Sequence, residues 1–93
     1  MDRYDLTTLG EAEWVILTTP EGPFWIWREG PDHFVGEGAP WCPIPTVITI
    51  RGTPGPFDTL APKIVTVGAP FEYLIGPRRM MTRILSLTVE AVP

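Results

Sequence analysis

Few side chains of this 93-residue chain could carry covalent chemistry. The only serine is Ser86, the only histidine is His33 and the only cysteine is Cys42. Serine-type catalysis needs a serine, a histidine base and an orienting acid held together, but Ser86 falls in a predicted strand and His33 in a predicted loop. A Cys-x-x-Cys redox pair is also missing, because Pro45 stands where the second cysteine would be. We therefore expect no catalytic residue, no cofactor and no enzymatic activity.

The chain also has few of the residues that metal and phosphate sites require. A structural zinc site takes four ligands, mostly Cys and His, and this chain has one of each. Asp32, His33 and Glu37 could hold a metal ion weakly, but an exposed polar loop is the better interpretation of this cluster. The glycine-rich run at residues 52–56 lacks the lysine and the following helix of a phosphate-binding loop. We expect no metal site.

The remaining candidates for binding are aromatic and basic. All four tryptophans precede residue 42, and an exposed pair such as Trp25 and Trp27 could stack on sugar rings or bases, although core packing is the commoner fate of tryptophan in a small domain. Arginines could contact phosphate, or could form ion pairs between subunits. The candidate partner-binding residues are Arg78, Arg79, Arg83, Trp25, Trp27 and Trp41.

Charge is distributed unevenly along the chain. Residues 1–37 hold eight acids and two bases, a net charge of −6, and residues 38–93 hold three acids and five bases, a net charge of +2. The overall charge of −4 disfavours nucleic acid as the main ligand. The asymmetry suits an acidic face that meets a basic neighbour, including another copy of the chain. The alternative is an ordinary solvated surface.

Composition bounds the cellular setting. No apolar run approaches the ~20 residues of a membrane helix, and the start MDRYD lacks the apolar region of a signal peptide. We expect an intracellular or virion protein that has no membrane partner. The chain contains no Asn, no Gln and one Lys. This bias is typical of thermophile proteins, and a GC-rich genome would produce it as well.

Twelve prolines limit the secondary structure, because proline breaks helix interiors. No helix longer than about two turns fits between Pro20 and Pro77. Residues 13–19 and 24–28 predict a hairpin with a four-residue loop, in which Thr19 pairs with Phe24 and Ile16 with Trp27. Trp25 and Trp27 then share one face, since strand side chains alternate.

The rest of the chain predicts short strands and long loops. Residues 29–45 read as an irregular segment with a short bridge at Phe34 and Val35, and residues 52–62 as a second loop. Strands are predicted over residues 46–51, 63–67 and 71–75. From Arg83 the alternation places Leu85, Leu87, Val89 and Ala91 on one face of a long strand, and we expect Leu85, Leu87 and Val89 to face the core. A helical turn at residues 78–81 and the structure of residues 4–12 stay open.

About six strands in one domain predict an all-β fold, a small antiparallel β-barrel or sandwich with long Pro/Gly-rich loops. Without catalytic groups, we expect a structural or assembly protein that binds protein partners or itself. A bacteriophage virion component, such as a capsid decoration, head-completion or tail protein, fits proline-rich loops and strand edges that a neighbour could cover. One alternative is an acidic inhibitor or accessory factor that docks on a host protein. Another is a carbohydrate- or ligand-binding module that uses Trp25 and Trp27.

Overall fold

Antiparallel strands make up nearly all the regular structure of this protein, whose computed structural model describes residues 1–54, 60–61 and 63–93. The strands are β1 (Arg3–Asp5), β2 (Glu13–Thr19), β3 (Gly22–Gly30), β4 (His33–Gly38), β5 (Cys42–Pro54), β6 (Leu60–Ala61), β7 (Ile64–Thr66), β8 (Pro70–Ile75), β9 (Arg78–Arg83) and β10 (Ser86–Ala91). A single 3₁₀ turn, Leu6–Thr8, follows β1. The described segments contain no α-helix, which confirms the all-β class.

One curled sheet dominates the molecule. Its strand order is β10-β2-β3-β4-β5-β8-β9, with β6 paired beside β5, while β1 and β7 form a separate two-stranded sheet. Its edge strands β9 and β10 are consecutive in the chain but pair with different neighbours. No β9–β10 pairing occurs within the described residues, so the sheet does not close into a barrel. The described residues therefore form two antiparallel sheets and no closed barrel, with ten strands where about six were predicted.

The core lies on the inner side of the curl. Because side chains alternate along a strand, β2 and β3 each direct every second residue inward, and Val15, Leu17, Phe24 and Ile26 are fully buried. Each such side chain stabilises the fold by roughly 1.5–3 kcal/mol. The other strands complete this cluster with buried residues that include Leu6, Phe34, Ile48, Val65, Phe71, Tyr73 and Leu87.

The predicted β2–β3 hairpin forms, but with a tighter turn. Thr19 pairs with Gly22 and not with Phe24, so Pro20 and Glu21 alone make the turn. Gly22 adopts a φ of +123°, a conformation that favours glycine. The Thr19 hydroxyl donates a hydrogen bond to the Gly22 carbonyl oxygen at 2.8 Å. These contacts stabilise a two-residue turn, whereas the sequence predicted a four-residue loop.

The register of this hairpin differs from the prediction by two residues. Ile16 lies opposite Trp25 instead of Trp27. A shift of two residues leaves every side chain on its predicted face, because the strand repeat is two residues. Trp25 and Trp27 therefore share one face, as predicted, and this face is the one turned away from the core.

The segment over residues 29–45 is mostly strand, so the prediction of a long irregular loop is wrong. It contains the end of β3, all of β4 and the start of β5. Phe34 and Val35 lie buried within β4. Gly36 on the same strand leaves room for the Phe24 ring, since a Cβ atom at that glycine would lie 2.6 Å from Phe24 Cζ. Gly36 therefore allows close packing within a strand, whereas the sequence pattern indicated a loop at this glycine.

The other predicted strands are present with shifted ends. Those over residues 46–51, 63–67 and 71–75 lie within or overlap β5, β7 and β8. The loop predicted over residues 52–62 falls partly outside the described residues, and within it residues 60–61 pair with the end of β5.

The C-terminal region contains two strands instead of one. Residues 78–81 belong to β9 and form no helical turn. The chain then turns at Ile84 and Leu85, whose amides donate to different segments, Ala69 and Thr18. Ile84 is fully buried and Leu85 is 50% exposed, so the prediction that Leu85 faces the core is wrong. This turn interrupts the alternation of inward and outward side chains. The alternation begins again in β10, where Leu87 faces the core.

None of the described segments is a helix with the length and apolar character needed to cross a bilayer.

Candidate functional site

The outer side of β2 and β3 carries a cluster of large apolar side chains. Trp14 lies opposite Trp27, and Ile16 lies opposite Trp25, in adjacent register positions. The ring centroids of Trp14 and Trp25 are 6.4 Å apart with the planes at 55°, which is a favourable tilted contact. All four side chains are half-buried, so each keeps part of its surface in solvent.

Carboxylates surround this cluster. Glu37 on β4 lies opposite Trp25, and Glu90 on β10 lies opposite Trp14. Glu29 follows Trp27 on the same face of β3, and the Trp27 indole Nε1 donates to Glu29 Oε1 at 3.2 Å. We call this surface the aromatic face, made of Trp14, Ile16, Trp25, Trp27, Glu29, Glu37 and Glu90.

The apolar surface extends beyond the aromatic face into β4 and β5. Val35 lies opposite Trp27, and Val47 lies opposite Val35. Val47 is 54% exposed. An apolar row thus crosses four neighbouring strands, from Trp14 to Val47.

A cleft of about 520 Å³ opens at one end of the aromatic face. Trp14 Nε1 is buried and has no hydrogen-bond partner among the described residues. Arg28 in the cleft wall is already engaged, since its Nη1 donates to the Thr7 carbonyl oxygen at 3.2 Å. The cleft is lined by Glu11, Trp14, Trp27, Arg28, Glu29 and Val92.

The far edge of the same sheet is basic. Strand alternation places Arg79, Met81 and Arg83 on the outer side of β9. On β8, the buried Glu72 lies opposite Met81, and its carboxylate contacts Arg79 Nε at 2.6 Å and Arg51 Nε at 3.6 Å. We call the surface of Arg51, Arg79, Met81 and Arg83 around Glu72 the basic face.

Two of the three predicted arginines are free to meet a partner. Arg79 is held by Glu72, whereas Arg78 and Arg83 are exposed and form no ion pair within the part of the chain that the structure describes. Met81 and Leu85 lie beside them with 46% and 50% exposure. The edge strand therefore combines free positive charge with exposed apolar surface.

Trp41 lies apart from the other predicted tryptophans. It packs against the core, with its ring centroid 6.0 Å from that of Phe24, and its Nε1 donates to the Tyr73 hydroxyl. Burial raises the pKa of Tyr73 to about 12. Trp41 borders a second cleft of about 430 Å³, together with Met80 and Arg83.

The residues considered for catalysis do not come together. Ser86 is exposed on β10, and His33 is exposed at the start of β4. Cys42 is buried, and its Sγ lies 3.3 Å from the Gly36 carbonyl oxygen.

The residues considered for a metal site do not converge either. Lys63 Nζ lies 2.8 Å from Asp32 Oδ1, and this contact lowers the pKa of that carboxyl. Across residues 1–54, 60–61 and 63–93, no three His, Cys, Asp or Glu side chains are grouped so that they could hold a metal ion.

Sequence reasoning found part of the aromatic face and missed the rest. Trp14 alternates with Val15 in a strand pattern, a signal that could have placed it outward beside Trp27. The positions of Glu37 and Glu90 depend on strand order, which single-sequence patterns do not reveal. The sequence left open whether Met81 belongs to a helical turn. Its exposure follows from the position of Met81 on the outer side of strand β9.

Comparison of the chain with known protein families, with curated proteins and with solved structures finds no match.

Proposed function

We propose that this protein is a non-catalytic assembly protein whose basic face binds the aromatic face of a neighbouring copy. The observation that carries the proposal is that one chain presents two surfaces complementary in charge. The aromatic face has tryptophans among carboxylates, and the basic face has Met81 among arginines. Complementary charge steers encounter and sets orientation, while the apolar centres supply contact energy.

The position of the two faces determines the kind of assembly. The aromatic face lies on β10, β2, β3 and β4, and the basic face lies on β5, β8 and β9. A contact between two different surfaces is heterologous, and its repetition produces a ring or a filament. A bacteriophage virion is built from such repeated contacts, and we place the protein in that setting, as a decoration, head-completion or tail component.

Two other functions use the same surfaces differently. An acidic inhibitor would present the aromatic face to a basic host protein and would itself stay monomeric. A carbohydrate-binding module would use the tryptophans as a platform for sugar rings. The free basic face on the same chain favours self-assembly over both.

Sedimentation velocity tests the proposal. Wild-type protein should form larger species as its concentration rises. Met81→Ser/Arg83→Glu, which removes the exposed apolar centre of the basic face and reverses its exposed charge, should remain largely monomeric. Added salt should weaken assembly only in part, because exposed ion pairs are screened within about 8 Å at physiological ionic strength whereas apolar contacts are not. Arg3→Glu, an exposed arginine of β1 outside both faces, is the matched control and should assemble normally. Monomers throughout for the wild type would refute self-assembly and favour the inhibitor.

A further inference from the structure

We propose that the cleft lined by Trp14 and Trp27 is a receptor for an arginine side chain, and that its occupant is an arginine of β9 from a second copy. This inference deepens the proposed function and rests on it for the identity of the occupant. It assigns a specific ligand chemistry to one end of the aromatic face.

The aromatic walls of the cleft suit a flat cation. Trp14 and Trp27 both line it and lie opposite one another across β2 and β3. Tryptophan is the best aromatic partner for a cation, and a guanidinium group stacks on its ring through both charge and planarity. A cleft of about 520 Å³ has ample room for one arginine side chain.

The carboxylates of the cleft supply the charge complement. Glu11 and Glu29 line it together with the tryptophans. The bond from Trp27 Nε1 to Glu29 Oε1 fixes that carboxylate beside the ring and leaves Oε2 to accept from a ligand. Arg28 offsets one of the two negative charges, but its guanidinium is turned to the Thr7 carbonyl oxygen. Arginine is favoured over lysine because a guanidinium can stack on a tryptophan ring and donate to carboxylates at the same time.

One polar group of a cleft-lining residue lacks a partner. Trp14 Nε1 is buried and finds no acceptor among the described residues, and a buried donor without a partner costs roughly 1–3 kcal/mol. A second copy of the chain supplies the arginine as part of a peptide, and N-acetyl-arginine amide reproduces that form.

The same chain offers such an arginine. Arg83 lies on the outer side of β9, whereas Arg78 begins the strand on its other side. Both are exposed and form no ion pair within the described segments. Met81, on the same side as Arg83, is 46% exposed and would rest on the apolar surface next to the cleft. A sugar could also stack on the tryptophans, but the further carboxylates Glu37 and Glu90 create a negative field that favours a cation.

A ligand titration separates these possibilities. The probe is N-acetyl-arginine amide, compared with N-acetyl-citrulline amide, which has a similar shape without the charge, and with cellotriose. The four indole N–H signals are followed by NMR and assigned by Trp→Phe variants. The arginine amide should shift the Trp14 and Trp27 signals and leave Trp41 unmoved, and the other two probes should have little effect.

Isosteric variants locate the binding in the cleft. Glu11→Gln/Glu29→Gln keeps the shape of the cleft. It should lower the affinity for the arginine amide by roughly fivefold, which is the loss expected for two partly exposed charge contacts. Glu21→Gln lies at the other cleft and should bind as the wild type does. In sedimentation, excess arginine amide should dissociate wild-type assemblies, and the citrulline amide should not.

The outcomes distinguish the receptor from the assembly. If wild-type protein assembles but the arginine amide moves neither indole, the receptor is refuted and the wider contact of the two faces stands. Equal binding of the citrulline amide, or binding of cellotriose alone, also overturns it. If the arginine amide binds but wild-type protein is monomeric under every condition, the cleft is an arginine site and the second copy is refuted as its occupant.

Discussion

Glu72 is a charged residue in a buried position, since its side chain is only 8% exposed. Its carboxylate is compensated by Arg79 at 2.6 Å and less closely by Arg51 at 3.6 Å. A buried charge that loses its nearest partner carries an uncompensated desolvation cost. Arg79 therefore has a structural role that its neighbour Arg78 lacks.

We expect Arg79→Ala to lower the free energy of unfolding by roughly 1–3 kcal/mol. Arg78→Ala, on the same strand and exposed, should change it by less than about 0.5 kcal/mol. Urea denaturation of both variants measures the difference. Equal effects would show that Glu72 is adequately solvated without Arg79.

Tyr73 links stability to alkaline pH. Burial raises its pKa to about 12 from the ordinary value of 10. The folded state thus keeps the phenol proton at a pH where the unfolded state releases it. This contribution to stability is fully present below pH 10 and is lost as the pH rises toward 12.

Tyr73→Phe removes this titration and leaves Trp41 Nε1 without its acceptor. We expect the variant to be less stable than the wild type at neutral pH, and the gap to narrow between about pH 10 and 12. Unfolding curves at a series of pH values measure the gap. If the stability difference between the wild type and Tyr73→Phe stayed constant from pH 10 to 12, the titration of Tyr73 would not be coupled to folding.

Leu87 and Thr88 show how sharply a strand divides its two faces. Leu87 is 4% exposed and lies opposite the fully buried Leu17, while Thr88 is exposed. We expect Leu87→Ala to cost roughly 2–5 kcal/mol of unfolding free energy and Thr88→Ala less than about 0.5 kcal/mol. Denaturant titration compares them, and similar costs would contradict the assigned faces of β10.

At the scale of elements, the limits of prediction follow from what a strand pattern encodes. Alternation in β3 grouped Trp25 with Trp27 on one face correctly, and the two-residue error at Ile16 did not change this grouping. It did not show which face is buried. Alternation failed at Leu85, because the chain there leaves one pairing and joins another. Local pattern predicts which side a residue faces only while its strand keeps the same neighbour.

Tertiary packing decided the elements that sequence reasoning misread. Glycines and prolines over residues 29–45 indicated a loop, but the Phe24 ring occupies the space that Gly36 leaves free. The proximity of Glu90 to Trp14 likewise depends on β10 returning to pair with β2. Neither contact is encoded within a short window, so the tryptophan pair was predicted and its acidic surroundings were not.

The role of Gly36 can be measured directly. Gly36→Ala would place a Cβ atom 2.6 Å from Phe24 Cζ and 3.2 Å from Ile48 Cδ1, and such overpacking costs typically ~1–3 kcal/mol. Gly30→Ala is the control, since its Cβ would meet only the His33 Cβ at 3.4 Å. Thermal unfolding should show a clear loss for Gly36→Ala and a small change for Gly30→Ala. Equal melting temperatures would contradict the close packing of β4 on Phe24.

At the scale of the whole molecule, the charge split along the chain becomes a split across the sheet. The strands from β10 to β4 present Trp14, Trp25 and Trp27 with the carboxylates around them, and the strands β5, β8 and β9 present Arg51, Arg79 and Arg83. A copy therefore carries both halves of one contact on separate surfaces. Blocking either face alone should stop assembly and leave the other face able to bind.

Mixing two blocked variants tests this central claim most directly. Met81→Ser/Arg83→Glu disables the basic face, and Glu37→Lys/Glu90→Lys disables the aromatic face. Each variant alone should sediment as a monomer, and an equimolar mixture should form a 1:1 heterodimer that grows no further, because only one complementary pair of faces remains. A mixture that stays monomeric, while wild-type protein assembles, would contradict the contact between these two faces.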